Sequence, residues 1–175
     1  MRIDSETRIS HPPRVVFEVY RDRLPEVVPY LDDIREIRVE ERDEDDGVVR
    51  LHNVWSSDRD IPRFARAVVR PDQLKWDDRA AWHEEGLYSD WVIATRVFTD
   101  AVRCEGRTEI LEDGSGGTKV RLDGVFEVDL ATVPGVPGFV GKRIAPQLEK
   151  FIVSLITPNL ERTTLAIGRF LDEQG

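Results

Sequence analysis

Hydrophobic and polar residues alternate along most of the chain between residues 34 and 130, a pattern typical of half-buried β-strands. Residues 2–9 alternate in the same way and predict a first strand ahead of that region. The predicted strands cover residues 2–9, 34–39, 48–55, 74–83, 87–98, 102–111 and 118–130, with turns at 40–47, 84–86, 99–100 and 113–117. The segment Asp113-Gly114-Ser115-Gly116-Gly117 is the strongest hairpin signal among these turns.

Helical signals flank the strand-rich region on both sides. Ser10-His11-Pro12-Pro13 and Leu24-Pro25 each suit a helix start, so two short helices are predicted after the first strand. From about residue 139 to the end the hydrophobic period becomes helical, which predicts one long helix. Its apolar stripe contains Ile144, Leu148, Phe151, Ile152, Leu155, Thr163, Ala166, Ile167 and Phe170. Pro158 lies inside this helix and cannot donate a hydrogen bond to the Ser154 carbonyl.

The order of these elements predicts the fold class. The predicted order is one strand, two short helices, six further strands and a long helix. These elements bury their apolar faces most completely when the sheet bends around the final helix. We therefore predict an α+β protein in which a curved, antiparallel, seven-stranded sheet wraps a long C-terminal helix, as a single domain over residues 1–175. The Pro/Gly-rich segment 133–138 links the sheet to the helix. We expect a cavity between the curved sheet and the helix.

Composition narrows the function classes. The 175 residues carry a net charge of −9 at pH 7, which argues against nucleic-acid binding, because such binding depends on neutralising phosphates. No apolar run approaches the roughly 18–20 residues that span a bilayer, so we expect no stable membrane insertion, although transient membrane contact stays open. The single cysteine, Cys104, fits a reducing cytosol, so we expect a cytoplasmic protein. The sequence does not indicate an oligomeric state.

Strand alternation also predicts which side chains face the cavity. The inward face is mainly apolar with a few polar interruptions, which is typical of a ligand pocket. The predicted ligand-binding residues are Asn53, Trp55, Phe64, Trp76, Asp78, Trp82, Ser89, Trp91, Ile93, Thr108, Phe126, Leu148, Ile152 and Leu155. Tryptophans on such a face are more often core packing than a stacking platform. The polar groups, likewise, more often bind backbone or buried water than a ligand. Asp78 is the most informative, because an unpaired carboxylate on an apolar face must pair, protonate or meet solvent.

Two regions leave alternatives open. The strand that ends at Trp55 can turn either of two alternate sets of side chains inward, and we favour the set with Asn53 over the set with His52. Residues 56–71 are long for a plain connection, so we predict that they border the cavity mouth, with Phe64 pointing inward.

Signals for catalysis and for cofactors are weak. The three histidines, His11, His52 and His83, have no metal-ligand spacing. The sequence contains no zinc-protease, nucleophile-elbow, P-loop or dinucleotide-binding motif, so we expect neither a metal nor a cofactor. Cys104 is interpreted as a small core residue. If the protein is an enzyme, Asp78 or His52 is the most plausible acid–base group.

The chain resembles the START-related, helix-grip superfamily, which includes polyketide cyclases, coenzyme Q-binding proteins, pollen-allergen-type carriers and lipid-transfer proteins. The resemblance covers nearly the whole chain. It rests on Ser10–Phe17, on Leu24–Pro29, where leucine replaces the family's tyrosine, and on Val125–Val128 ahead of the connector and long helix. It implies that a lipid, sterol, quinone or polyketide binds in the central cavity, and it transfers no catalytic residue.

Three functions are therefore open. Binding or transport of a hydrophobic small molecule is favoured, and a cyclase- or dehydratase-like enzyme is the first alternative. The second alternative is a protein-interaction module with a reduced cavity and an acidic docking face. A collapsed cavity would favour the interaction module, whereas an ionisable group with a perturbed pKa in a deep pocket would favour the enzyme.

Overall fold

The computed structural model describes residues 1–66, 69–97, 99–129 and 138–175, with the backbone alone described for residues 100 and 138–145. Residues 133–137 of the predicted connector lie outside these ranges. The strands are β1 (Arg2–Ile9), β2 (Ile34–Asp45), β3 (Val48–Ser57), β4 (Lys75–His83), β5 (Tyr88–Thr95), β6 (Val102–Glu112) and β7 (Thr118–Val128). The α-helices are α1 (Pro13–Asp22) and α2 (Gly138–Gln174), and 3₁₀ helices cover Leu24–Tyr30, Pro71–Gln73 and Thr99–Ala101.

The seven strands of the described ranges form one sheet in the order β1-β7-β6-β5-β4-β3-β2. Every neighbouring pair is antiparallel, so β2 to β7 form a meander and β1 adds to its end beside β7. The predicted fold class is confirmed: a seven-stranded antiparallel sheet, short helices after β1 and a long C-terminal helix.

The hairpin between β2 and β3 is longer than the sequence indicates. β2 continues to Asp45, so the prediction of a turn that begins at residue 40 is wrong. The outer half of β2 is exposed on both faces, so it carries no hydrophobic alternation and is held by its ladder with β3. The turn consists of Asp46 and Gly47, whose φ angles of 47° and 75° suit a tight type I′ turn.

The inward register of β3 is the one that the sequence favours. Asn53 and Trp55 are 2% and 7% exposed, and they pair with Asp78 and Trp76 on β4. Because successive side chains of a strand point to opposite faces, His52 lies on the outer face of the sheet. The inner face of β3 and β4 therefore combines two tryptophans with an amide and a carboxyl group.

Helix α2 buries one face in the core. Leu148, Ile152 and Leu155 are buried, as the predicted stripe requires, and so are Ile156 and Ile167 on later turns. Burying a leucine or isoleucine side chain stabilises a protein by about 1.5–3 kcal/mol, so this face anchors the helix to the sheet.

A contact between α2 and the β3–β4 connection compensates for Pro158. Because proline has no N–H, the Ser154 carbonyl one turn earlier has no helical donor. The Arg59 guanidinium donates a hydrogen bond to this carbonyl, and the helix continues through the proline. The connection is therefore tied to α2 at the turn that precedes Pro158.

Candidate functional site

A cavity of about 60 Å³ lies between the inner face of the sheet and the middle of α2. It brings together many of the predicted ligand-binding residues: Trp55, Trp76, Asp78, Trp82, Ser89, Trp91, Ile93 and Thr108. The other described lining residues are Tyr20, Leu24, Ala80, Leu122, Ile156, Asn159, Leu160 and Thr163. The wall is therefore mainly apolar, with one carboxyl group and a few hydroxyl and amide groups.

A second, smaller cavity of about 20 Å³ adjoins the first. Trp76 and Ile156 line both cavities and so form the partition between them. The predicted site residues Ile152 and Leu155 line this second cavity. Within the described linings neither cavity includes the predicted site residues Asn53, Phe126 and Leu148, all of which are buried.

The prediction that Phe64 points into the cavity is wrong. Phe64 is 37% exposed and is not part of the described lining. Residues 63–66 form a turn, with a hydrogen bond from Ala65 N to the Pro62 carbonyl, and Val69 N donates to the Ala65 carbonyl. Ile61, Ala65 and Val69 are buried, so these neighbours of Phe64 contact the core while the Phe64 side chain is exposed.

The α2 residues of the main cavity were missed because the predicted site used earlier turns of the helix. Ile156, Asn159, Leu160 and Thr163 follow the i, i+3, i+4, i+7 spacing of a single helix face. That spacing was visible in the sequence. The sequence carries no signal for which turn of a 37-residue helix faces which strand.

All four tryptophans of the chain line this one cavity. Trp55 and Trp76 stack across the β3–β4 ladder, with ring centroids 5.7 Å apart and an interplanar angle of 18°. Trp82 meets the edge of Phe17, with centroids 5.5 Å apart, and also contacts Tyr20. Such aromatic pairs stabilise by about 0.5–1.5 kcal/mol beyond the area that they bury, so these rings are held in place.

Trp91 occupies space that two glycines leave open on the neighbouring strands. A Cβ atom at Gly106 would lie 2.5 Å from the Trp91 ring, and one at Gly124 would lie 2.9 Å from it. The Trp91 indole N–H donates a hydrogen bond to Thr108 Oγ1 at 3.1 Å. The indole therefore lies close to the sheet and forms part of the cavity floor.

Asp78 is the one formally charged residue in the described lining. The Trp55 indole N–H donates to Asp78 Oδ2 at 3.3 Å, and Asn53 lies opposite Asp78 in the ladder. Burial raises the pKa of Asp78 to about 6, and hydrogen bonds from Trp55 and Asn53, with the charge of His52, limit the rise. The side chain keeps partial exposure because its carboxyl group faces the cavity. It can therefore gain or lose a proton near neutral pH.

Two buried polar atoms in this region have no hydrogen-bond partner among the described residues. They are Trp82 Nε1, a donor on the cavity wall, and Asn53 Oδ1, an acceptor beside Asp78. A buried polar group without a partner costs about 1–3 kcal/mol. Trp82 Nε1 is thus available to a polar group that enters from the cavity, whereas Asn53 is not part of the described lining.

Solved structures share this arrangement of sheet and helix. The Zhui aromatase/cyclase from a Streptomyces species matches with a TM-score of 0.69 at 13% sequence identity, over 99% of this chain and 94% of that chain. A protein from Thermus thermophilus matches with a TM-score of 0.65 at 21% identity, over 97% and 95% of the two chains. A START superfamily protein from Mycobacterium smegmatis matches with a TM-score of 0.56 at 15% identity, over 99% of each.

The chain has the helix-grip fold of START-related proteins. At these identities the likeness concerns the fold, and the function must be argued from the residues of the cavity. No protein-family model and no curated protein sequence matches the chain. None of the described helices is long and apolar enough to cross a membrane. In the described part of the chain, no cluster of three or more His, Cys, Asp or Glu side chains is arranged to hold a metal ion.

The two acid–base candidates lie on opposite faces of the helix-grip sheet. His52 Nε2 lies 2.7 Å from Asp77 Oδ1 on the outer face, and Arg96 donates to the same carboxylate. Only Asp78 of the two reaches the cavity. Burial, with smaller effects from Asp78 and Glu105, raises the pKa of the Cys104 thiol to about 12, so this thiol is a poor nucleophile at neutral pH.

Proposed function

We propose that the protein binds or carries a hydrophobic small molecule in the cavity between the sheet and α2. The observation that supports this proposal best is the convergence of all four tryptophans on one cavity. Protein interiors pack as densely as organic crystals, and side chains that line a void lose contacts on one side. A space kept open among four large aromatic rings is therefore costly in a core and useful in a binding site.

The polar groups of the wall fit the same proposal. Ligand pockets combine apolar walls with a small number of polar groups that fix orientation. Here Asp78 offers an acceptor, and the free Trp82 Nε1 offers a donor. They lie four residues apart on β4, so their Cα atoms are separated by about 13 Å at 3.3 Å per residue. A ligand that uses both would be longer than a single ring.

The size of the cavity limits how a ligand fits. Pockets for drug-sized ligands measure roughly 300–1,000 Å³, so a cavity of about 60 Å³ must widen to accept a sterol or a polyketide. The partition formed by Trp76 and Ile156 is the natural place to widen, because its movement joins the two cavities. A molecule with one or two aromatic rings requires the least movement.

Native mass spectrometry of gently purified protein tests this proposal. We expect a bound hydrophobic molecule that is released when the protein unfolds. Adding it back should change the intrinsic fluorescence in a saturable manner, because every tryptophan of the chain lines the cavity. If no molecule co-purifies, and a panel of lipids, sterols, quinones and aromatic compounds leaves the fluorescence unchanged, the protein-interaction alternative replaces the binding proposal.

An enzyme that acts on an aromatic or polyketide substrate is the second candidate. The observation that favours it is Asp78, an ionisable group in the cavity whose pKa is raised to about 6. Such a group suits general acid or base catalysis, which typically contributes about 10²–10⁴ in rate. The Zhui aromatase/cyclase shares the fold at 13% identity.

Turnover assays separate carriage from catalysis. Candidate aromatic and polyketide substrates should be incubated with the wild type, with Asp78→Asn and with the matched control Asp77→Asn on the outer face. Binding without turnover in all three proteins supports a carrier. Turnover that disappears in Asp78→Asn, while ligand binding and the Asp77→Asn activity persist, establishes the enzyme.

A further inference from the structure

The charge of the cavity wall restricts the ligand more than its shape does. Asp78 is the only formally charged residue in the described lining, and that lining contains no lysine, arginine or histidine. Arg79, which follows Asp78 in sequence, points to the outer face and lies 3.8 Å from Glu41, and His52 and Arg96 contact Asp77 on that same outer face. The carboxyl group therefore faces the cavity with hydrogen-bond donors around it but without a counter-ion among the described lining residues.

This arrangement is costly for the protein alone. A buried carboxylate requires a charge partner or several hydrogen bonds. Asp78 has the Trp55 indole N–H at 3.3 Å and the amide of Asn53 beside it, which together leave acceptor capacity on its oxygens. Its pKa of about 6 still leaves it mainly ionised at pH 7. A cationic group that enters the cavity would supply the missing counter-ion.

The aromatic walls favour the same kind of group. Trp76 lies two residues before Asp78 on the same face of β4, and Trp55 stacks on Trp76 and donates to Asp78. A cation near the face of a tryptophan is attracted by the ring, and the attraction grows when water is excluded. A cation bound to Asp78 therefore enters a space walled by indole rings.

We propose that the cavity selects a protonated amine attached to an aromatic or similarly flat hydrophobic group, with Asp78 as its counter-ion. This inference rests on the binding function proposed above and narrows it. A fatty acid or another anion should bind weakly. Its negative charge would approach the Asp78 carboxylate, and the described lining contains no cation that neutralises either group. Among the ligand classes implied by the fold, acidic lipids are thus disfavoured.

Three ligands of one shape and different charge test the proposal by calorimetric titration at pH 7.5. They are 2-naphthylmethylamine, the neutral 2-naphthylmethanol and the anionic 2-naphthoate, with benzylamine and benzyl alcohol as smaller probes. In the wild type the amine should bind about 10–100-fold more tightly than the alcohol, as a hydrogen bond to a charged group provides. The naphthoate should bind more weakly than the alcohol.

Two variants on one strand identify the group that is responsible. Asp78→Asn should reduce the affinity for the amine to that for the alcohol, while the affinity for the alcohol changes by less than about threefold. Asp77→Asn removes the neighbouring carboxylate, which faces outward, and should keep the preference for the amine. The comparison of amine with alcohol in the wild type needs no substitution, so it decides the question even where a variant fails to fold.

The outcomes separate this inference from the proposed function. Equal binding of amine and alcohol by the wild type overturns the amine preference and leaves the binding function standing. Loss of the preference in Asp77→Asn, with its retention in Asp78→Asn, also overturns the assignment. Absence of binding for every probe of both sizes contradicts the binding function, and the inference falls with it.

Discussion

Replacing Asp78 with asparagine should stabilise the protein at neutral pH. Burial raises the pKa of this carboxyl group from its ordinary value of 3.8 to about 6. The difference of about 2 pH units corresponds to about 3 kcal/mol at 1.36 kcal/mol per unit. For an acid with a raised pKa, this cost is absent below pH 3.8, appears as the pH rises towards 6 and is complete above it. Asparagine keeps the shape of the side chain and cannot ionise.

Urea unfolding of the wild type and Asp78→Asn at several pH values measures this effect. The free energy of unfolding of the variant, relative to wild type, should rise by about 2.5 kcal/mol between pH 4 and pH 7.5, because a small part of the cost is already present at pH 4. The matched control is Asp77→Asn. Hydrogen bonds from Arg96 lower the pKa of Asp77, so its carboxylate stabilises the protein above pH 4, and removing it should lower the free energy of unfolding by a nearly constant amount between pH 4 and pH 7.5. A relative stability of Asp78→Asn that does not change with pH would refute the claim that the cavity raises the pKa of the half-buried Asp78.

Three further substitutions probe the framework of the cavity, each measured by urea unfolding. Arg59→Ala should lower the free energy of unfolding of the wild type by about 1.5–3 kcal/mol. In the Pro158→Ala variant the same substitution should lower it by less than about 0.5 kcal/mol, because alanine restores the missing helical donor. Leu155→Ala should cost about 2–5 kcal/mol, whereas Leu165→Ala, at a position 51% exposed, should cost less than about 0.5 kcal/mol. Gly106→Ala should lower the free energy of unfolding by about 1–3 kcal/mol, because the added Cβ would lie 2.4 Å from the Asp123 carbonyl oxygen and 2.5 Å from the Trp91 ring. These contacts would be contradicted if the two leucine variants lost the same free energy of unfolding. They would also be contradicted if Arg59→Ala lost as much in the Pro158→Ala variant as in the wild type.

The strands of the inner wall were predictable because their alternation is regular. Trp76, Asp78 and Trp82 follow a strict period of two on β4, and the sheet needs one apolar face to cover α2. The same rule placed Ser89 and Trp91 on β5. Burial of these positions is therefore dictated by local sequence together with the requirement for one core.

The rest of the site depends on contacts that a local pattern does not carry. The helical turn near Phe64 has too few residues for a periodic signal, so its buried face was predicted wrongly. The contact of Arg59 with the Ser154 carbonyl joins residues 95 positions apart, which only the folded chain brings together. The acidic half of β2 gave no strand signal because an exposed edge strand has no apolar face.

The indole N–H signals of the four tryptophans test the central claim most directly. In ¹H–¹⁵N correlation spectra, titration with the neutral probe 2-naphthylmethanol should shift the signals of Trp55, Trp76, Trp82 and Trp91 together and saturably, because all four line the cavity. Amide signals from the exposed half of β2 should stay unchanged. Shifts confined to β2 or to the outer face of the sheet, with four unmoved indole signals, would contradict a ligand site between the sheet and α2.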